Sequence, residues 1–139
     1  MSCLHDNDIT SFDGSSCPLL THLYLSNNQL CNLDVSNFKH LTHFCVDHNQ
    51  LTKLHIPNSI TYINTSFNKL DCLDVSKCTN LIDLFTQNNQ LDKLDISNCL
   101  NLVRLHAFSN KLGHIDLNSK YLIEVYLIYF FHIKNIFLK

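Results

Sequence analysis

Asparagine recurs at Asn7, Asn28, Asn49, Asn68, Asn89 and Asn110, at intervals of 21, 21, 19, 21 and 21 residues. A period of roughly 20–50 residues marks a stack of repeated units, because no single unit is long enough to bury its own apolar face. Around each asparagine lies one apolar pattern, complete as Leu20, Leu23, Leu25, Asn28 and Leu30. It returns as Leu41, Phe44, Val46, Asn49 and Leu51, and as Ile60, Ile63, Thr65, Asn68 and Leu70. Two more copies read Leu81, Leu84, Thr86, Asn89, Leu91 and Leu102, Leu105, Ala107, Asn110, Leu112. Ahead of them Leu4, Asn7 and Ile9 carry the second half of the pattern, so the chain opens part-way through a unit. After them Leu122, Val125 and Leu127 begin another, whose asparagine position holds Phe130.

Two apolar residues flanking one other, as in Leu23-Tyr24-Leu25, are the period-2 signature of a short strand with one buried face. Stacked units pair such strands into a parallel sheet, about 4.8 Å apart. Each unit borrows a core wall from its neighbours, so stability is nearly a nearest-neighbour sum. The asparagine side chain offers both donors and an acceptor. At the bend after the strand it can therefore satisfy buried main-chain groups that no ladder bond reaches. The second halves read Leu33-Asp34-Val35-Ser36, Leu73-Asp74-Val75-Ser76, Leu94-Asp95-Ile96-Ser97 and Ile115-Asp116-Leu117-Asn118. This alternation predicts an extended outer arc, closed by turns that Asp and Ser stabilise. No i, i+3, i+4 run predicts helix. In the 19-residue interval only Pro57, Asn58 and Ser59 separate Ile56 from Ile60, so the loss falls wholly in the arc.

These registers resemble the leucine-rich repeat superfamily over about residues 4–127. They look most like its 21-residue class with an L-D-V-S or L-D-I-S second half, common in bacterial, protist and giant-virus proteins. The stretch from Ile56 to Leu70 is similar instead to the shorter proline-containing repeat of bacterial effectors. The resemblance implies a repeat solenoid, mostly β, wound as a right-handed coil with one parallel strand per repeat and extended outer arcs. It also implies protein binding on the concave sheet and no catalytic residues within the repeats. The expected organisation is a partial N-terminal repeat at 1–19, five leucine-rich repeats at 20–121, and a degenerate C-terminal repeat or cap at 122–139. The chain departs from the family in lacking a recognisable amino-terminal cap and in losing the pattern in its tail.

With 10 Lys+Arg against 12 Asp+Glu and no basic stripe, nucleic acid is not an expected partner. No glycine-rich phosphate loop and no paired general acid and base occur, so neither an enzyme nor a cofactor is expected. The start, Met1-Ser2-Cys3-Leu4-His5-Asp6, lacks a basic segment followed by an apolar core. A cytoplasmic or otherwise intracellular site, with the seven cysteines reduced, is the expectation. Cys17, Cys78 and Cys99 share the outer-arc slot that Phe38 fills and read as small buried hydrophobes. The apolar tail from Leu122 is broken by Glu124, His132 and Lys134. Its uninterrupted part falls short of the ~20 residues of a membrane span. The tail is expected to cover the end of the core; uncovered, such an edge favours self-association.

Side chains between and beside the buried strand positions point onto the concave sheet. One column reads His22, His43, Tyr62, Asp83, Arg104, Glu124, and the next Tyr24, Cys45, Asn64, Phe85, His106, Tyr126. A third reads Ser26, Asp47, Ser66, Gln87, Phe108, Ile128. Aromatics suit strands in general, but here several share one surface, and aromatic anchors dominate interface hot spots. The expected partner-binding set is His22, Tyr24, His43, Asp47, Tyr62, Asn64, Asp83, Phe85, Arg104, His106 and Phe108. His22, His43, Asp47 and His48 resemble a ligand set, yet no motif has fixed local spacing, and no metal is expected. His22 and His43 are instead expected to make binding pH-sensitive. Turn chemistry accounts for Asp34, Asp74, Asp95 and Asp116. The leading expectation is a noncatalytic module that binds a protein partner. The alternative is a fragment of a larger effector or surface repeat protein whose active domain lies outside this chain.

Overall fold

A computed structural model describes residues 1–127 and the backbone of residues 135–138. Its strands are β1 (Ser2–Cys3), β2 (His22–Tyr24), β3 (Asn32–Asp34), β4 (His43–Cys45), β5 (Lys53–His55) and β6 (Tyr62–Asn64). They continue as β7 (Asp83–Phe85), β8 (Arg104–His106), β9 (His114–Leu117), β10 (Glu124–Tyr126) and β11 (Asn135–Leu138). Seven of them form one sheet in the order β1-β2-β4-β6-β7-β8-β10. All its pairings are parallel. The chain is thus a parallel β-solenoid of about six turns with almost no helix. Register is set by the central strand residue, since a one-residue slip would turn every apolar side chain to solvent. Leu23, Phe44, Ile63, Leu84 and Leu105 all lie at 0% exposure.

The Leu25 and Val46 slot is filled in the next two turns by Thr65 and Thr86, also at 0% exposure. Buried hydroxyls are tolerable only when bonded. Here the Thr65 Oγ1 donates to Thr86 Oγ1 at 3.1 Å.

After each strand the chain bends at an asparagine. Asn49 Nδ2 donates to the carbonyls of Val46 and Asp47 in its own turn and of Leu25 in the preceding one. Its Oδ1 accepts the Leu30 N–H at 3.0 Å. Asn28, Asn68, Asn89 and Asn110 make the same bond to the preceding turn, at Ile9, Leu51, Leu70 and Leu91. Asn7 is exposed, and its side chain bonds within its own turn, to the carbonyls of Leu4 and His5. Every bend also places the residue before the asparagine in the left-handed region: Asp6, Asn27, His48, Phe67, Asn88 and Ser109, with φ between 52° and 58°.

The outer arc is less regular. β3 pairs with β5 and β9 with β11, but the equivalent stretches around Val75 and Ile96 form no strand. Pairing lapses in the two turns that follow the shortened one. The turns themselves hold: Asp34, Asp74 and Asp95 each accept the backbone N–H of the serine two residues on, at 2.9–3.0 Å.

Two details depart from the sequence expectations. The first turn already contributes a strand, Ser2 lying opposite Leu23; a serine in an apolar slot carries no periodic signal. Cys17 is exposed, whereas Cys78 and Cys99 are buried. The latter two slots are walled by the preceding turn, their Sγ atoms reaching the carbonyls of Pro57 and Val75. In the tail, β11 lies parallel to β9 with Asn135 opposite His114, so the backbone resumes the 21-residue course. Ile128 and Phe130 lie outside the described residues, as do the other residues of 128–134, and 139, within the expected degenerate repeat or cap at 122–139. Among the described residues, no helix is long and apolar enough to cross a membrane.

Candidate interaction surface on the concave sheet

Parallel strands in register bring equivalent side chains one strand spacing apart, so rings in the columns meet face or edge. His22 stacks on His43 with centroids 4.4 Å apart, and His43 on Tyr62 at 5.9 Å. The lane then steps to the second column: Tyr62 to Phe85 at 5.6 Å, Phe85 to His106 at 4.7 Å, His106 to Tyr126 at 4.7 Å. Tyr24 joins at the other end, 6.4 Å from His22. The step happens because Asp83 and Arg104 occupy the first column where rings would continue.

That substitution builds an ion pair. Arg104 Nε and Nη2 donate to Asp83 Oδ1 and Oδ2, both at 2.6 Å, in a two-pronged geometry that fixes both side chains. The guanidinium lies 5.7 Å from the Phe85 ring centre, a cation–π contact. Asp83 is only 7% exposed. It serves to hold Arg104 rather than to face solvent, because a carboxylate under the ring lane needs a bound cation. Next along, His106 Nε2 meets Glu124 Oε1 at 3.0 Å. At the far end Ser26 Oγ donates to Asp47 Oδ1 at 2.6 Å.

Thr42 Oγ1 lies 3.0 Å from His43 Nδ1 and 3.2 Å from the Thr21 carbonyl, so one hydroxyl ties the histidine ring to the preceding turn. Burial and the neighbouring His22 lower the His43 pKa below its ordinary 6.5. Burial likewise raises the Cys45 thiol to about 11, with Asp47 adding to the effect. Cys45 is thus no nucleophile at neutral pH.

Of the residues expected on this face, all eleven lie on the inner columns, though Asp83 is committed to its partner. Asn64 Oδ1 is turned inward along its strand end, accepting from the Ser66 hydroxyl at 2.6 Å. Among the described residues, no group of three or more His, Cys, Asp or Glu is placed to hold a metal ion. Sequence reasoning missed one feature beside the columns: His48 and Phe67, both in the left-handed bend, stack at 4.3 Å with rings 10° from parallel. Periodicity could have paired them, since each precedes a ladder asparagine, but nothing local flagged two rings at positions that favour Asn.

The outer arc offers shallow clefts of about 240 Å³, one beside Asp95, His114 and Asp116 and another beside Asp34, His55 and Asp74. The serine hydroxyl and N–H lower the pKa of Asp34, Asp74 and Asp95, so these carboxylates are turn elements.

No family model matches the chain, and no curated protein does. Solved structures do resemble it. The functional domain of InlJ from Listeria monocytogenes, described as including a cysteine ladder, superposes with a TM-score of 0.73 at 25% identity, over 87% of this chain and 32% of that one. YopM from Yersinia enterocolitica gives 0.76 at 23% identity, over 96% of this chain and 31% of that one. Both are leucine-rich repeat proteins. The chain spans about a third of the length of each.

Proposed function

We propose that this chain, a leucine-rich repeat solenoid, is a noncatalytic protein-interaction module whose concave sheet grips the partner. The observation that carries the reading is the ring lane, which passes from Tyr24 through His22, His43, Tyr62, Phe85 and His106 to Tyr126 without a gap wider than 6.4 Å. Rings held by their neighbours lose little side-chain freedom on binding, and so make efficient anchors. Among the described residues of this face, burial raises the one thiol, Cys45, and the Asp83–Arg104 ion pair is closed on itself. The partner is met in a reducing compartment, where the unpaired cysteines stay thiols.

The reading is tested by changing Tyr24, Tyr62 and Phe85 together to Ser. Affinity capture from the source cells is expected to lose a partner that the parent chain retains, while the variant still unfolds cooperatively. Equal capture by the folded variant would move the interface off the concave sheet. A second reading, a recognition segment of a longer repeat protein, is favoured by the one-third coverage of the two solved structures. In-frame repeats in the flanking DNA would support it.

A further inference from the structure

The Asp83–Arg104–Phe85 group displays what this surface does with a guanidinium: a carboxylate takes its two N–H edges and an aromatic ring lies beside its plane. One other place on the rim offers the same ingredients. Asp47 and His48 leave the backbone from adjacent Cα atoms, and the His48 ring is stacked on Phe67 of the next turn. Among the described residues no cation of the chain pairs with Asp47, which accepts one hydroxyl bond, from Ser26. His48 is exposed and Phe67 is 45% exposed.

Backbone energetics single out Phe67. The left-handed conformation is easiest for Gly, and Asn, Asp and His enter it more readily than other residues. The equivalent bends at Asp6, Asn27, His48 and Asn88 follow that preference; Phe67 and Ser109 oppose it, and of these two only Phe67 carries a ring. Strain of this kind persists where the side chain has a task that a better-suited residue cannot do. Charge points to the occupant. The described concave columns with Asp47 hold three carboxylates, Asp47, Asp83 and Glu124, against one full cation, Arg104. Arg104 is already bound.

We propose that Asp47, His48 and Phe67 form an arginine-accepting subsite at the rim, and that the partner presents an arginine there from an extended segment. The proposal rests on the concave-face reading and adds residues to it. Guanidinium is favoured over ammonium because it is planar, matches a carboxylate with paired N–H groups and stacks on rings.

The test is an NMR titration of the intact chain with three capped heptapeptides: serine alternating with arginine, with lysine, or with glutamate. The arginine peptide is expected to shift the resonances of Asp47, His48 and Phe67. Binding should be roughly tenfold weaker for lysine, the loss of one paired, stacked contact, and absent for glutamate. Asp47→Asn and Phe67→Asn should each weaken the arginine peptide about tenfold. Phe67→Asn should also melt no lower than the parent, because asparagine suits the bend; this separates a binding role from a structural one. Equal response to lysine and arginine overturns the proposal. So does a response to the arginine peptide at Tyr24, Tyr62 and Phe85 without Asp47, His48 and Phe67, an outcome that leaves the concave-face reading standing. Silence at both sets of residues overturns the subsite as well.

Discussion

Among the described residues the inner sheet runs unbroken through seven strands, whereas the outer arc pairs only as β3 with β5 and β9 with β11. Both sides supply leucines to one core. The inner side, however, keeps a fixed distance from strand to asparagine in every full turn, and the arc does not. The lesson is a division of labour within each turn. The strand and its ladder asparagine hold the register, and the arc absorbs length changes such as the loss beside Pro57. A surface meant to present residues at fixed spacing therefore belongs on the inner side.

That division can be broken most directly by truncation. Leu84→Ala, at a site with 0% exposure, is expected to cost about 4 kcal/mol, and Leu94→Ala in the arc, at 7%, about 2 kcal/mol, within the range for buried leucine. Urea melts compare them, and equal losses would erase the distinction. The ladder comes next. Asn49→Ala strands the Leu30 N–H and several carbonyls, and should cost roughly 1–3 kcal/mol. Asn7→Ala, at an exposed site whose side chain bonds within its own turn, should lie within ~0.5 kcal/mol of the parent. Comparable losses from both would mean that the bond to the preceding turn is not what matters.

Smaller still is the buried hydroxyl pair. Replacing Thr65 and Thr86 together by Val should leave stability within about 1 kcal/mol, since both partners go at once. Thr65→Val alone should be the worse of the two. A double variant much less stable than the single one would show that the hydroxyls hold the strands together.

The two sides should also titrate in different windows, with the smallest effects of all. His43 has a folded pKa below 6.5, so as pH falls the unfolded chain takes the proton first. The contribution of His43 is whole above pH 6.5 and declines between 6.5 and its lower folded value. Asp34, Asp74 and Asp95 have folded pKa values below 3.8. Their contribution is whole above pH 3.8 and is lost as pH falls through those folded values. His43→Gln should abolish only the upper decline in a series of melts from pH 7.5 to 5. A decline that survives the substitution would assign it elsewhere.

Much of this was legible in the residues. An apolar slot recurring in phase cannot be satisfied by any single turn, so the stack, the buried leucines and the inner columns were open to reading. The β1 strand was not, because Ser2 carries no apolar mark and only the presence of Leu23 beside it reveals the pairing. Nor was the burial of Asp83, which depends on an arginine 21 residues away folding back over Phe85. The His48–Phe67 stack joins turns of unequal length, and a column drawn from spacing does not say which rotamers meet.

Periodicity and residue type alone determined the winding, the interior and the side of the sheet left to solvent, because those follow from which positions must escape water. Only the folded molecule decided how the rings chain together, which carboxylates are already neutralised and where left-handed bends hold exposed aromatics. Those outcomes depend on side chains meeting across turns, at distances of a few ångströms that spacing along the chain does not encode.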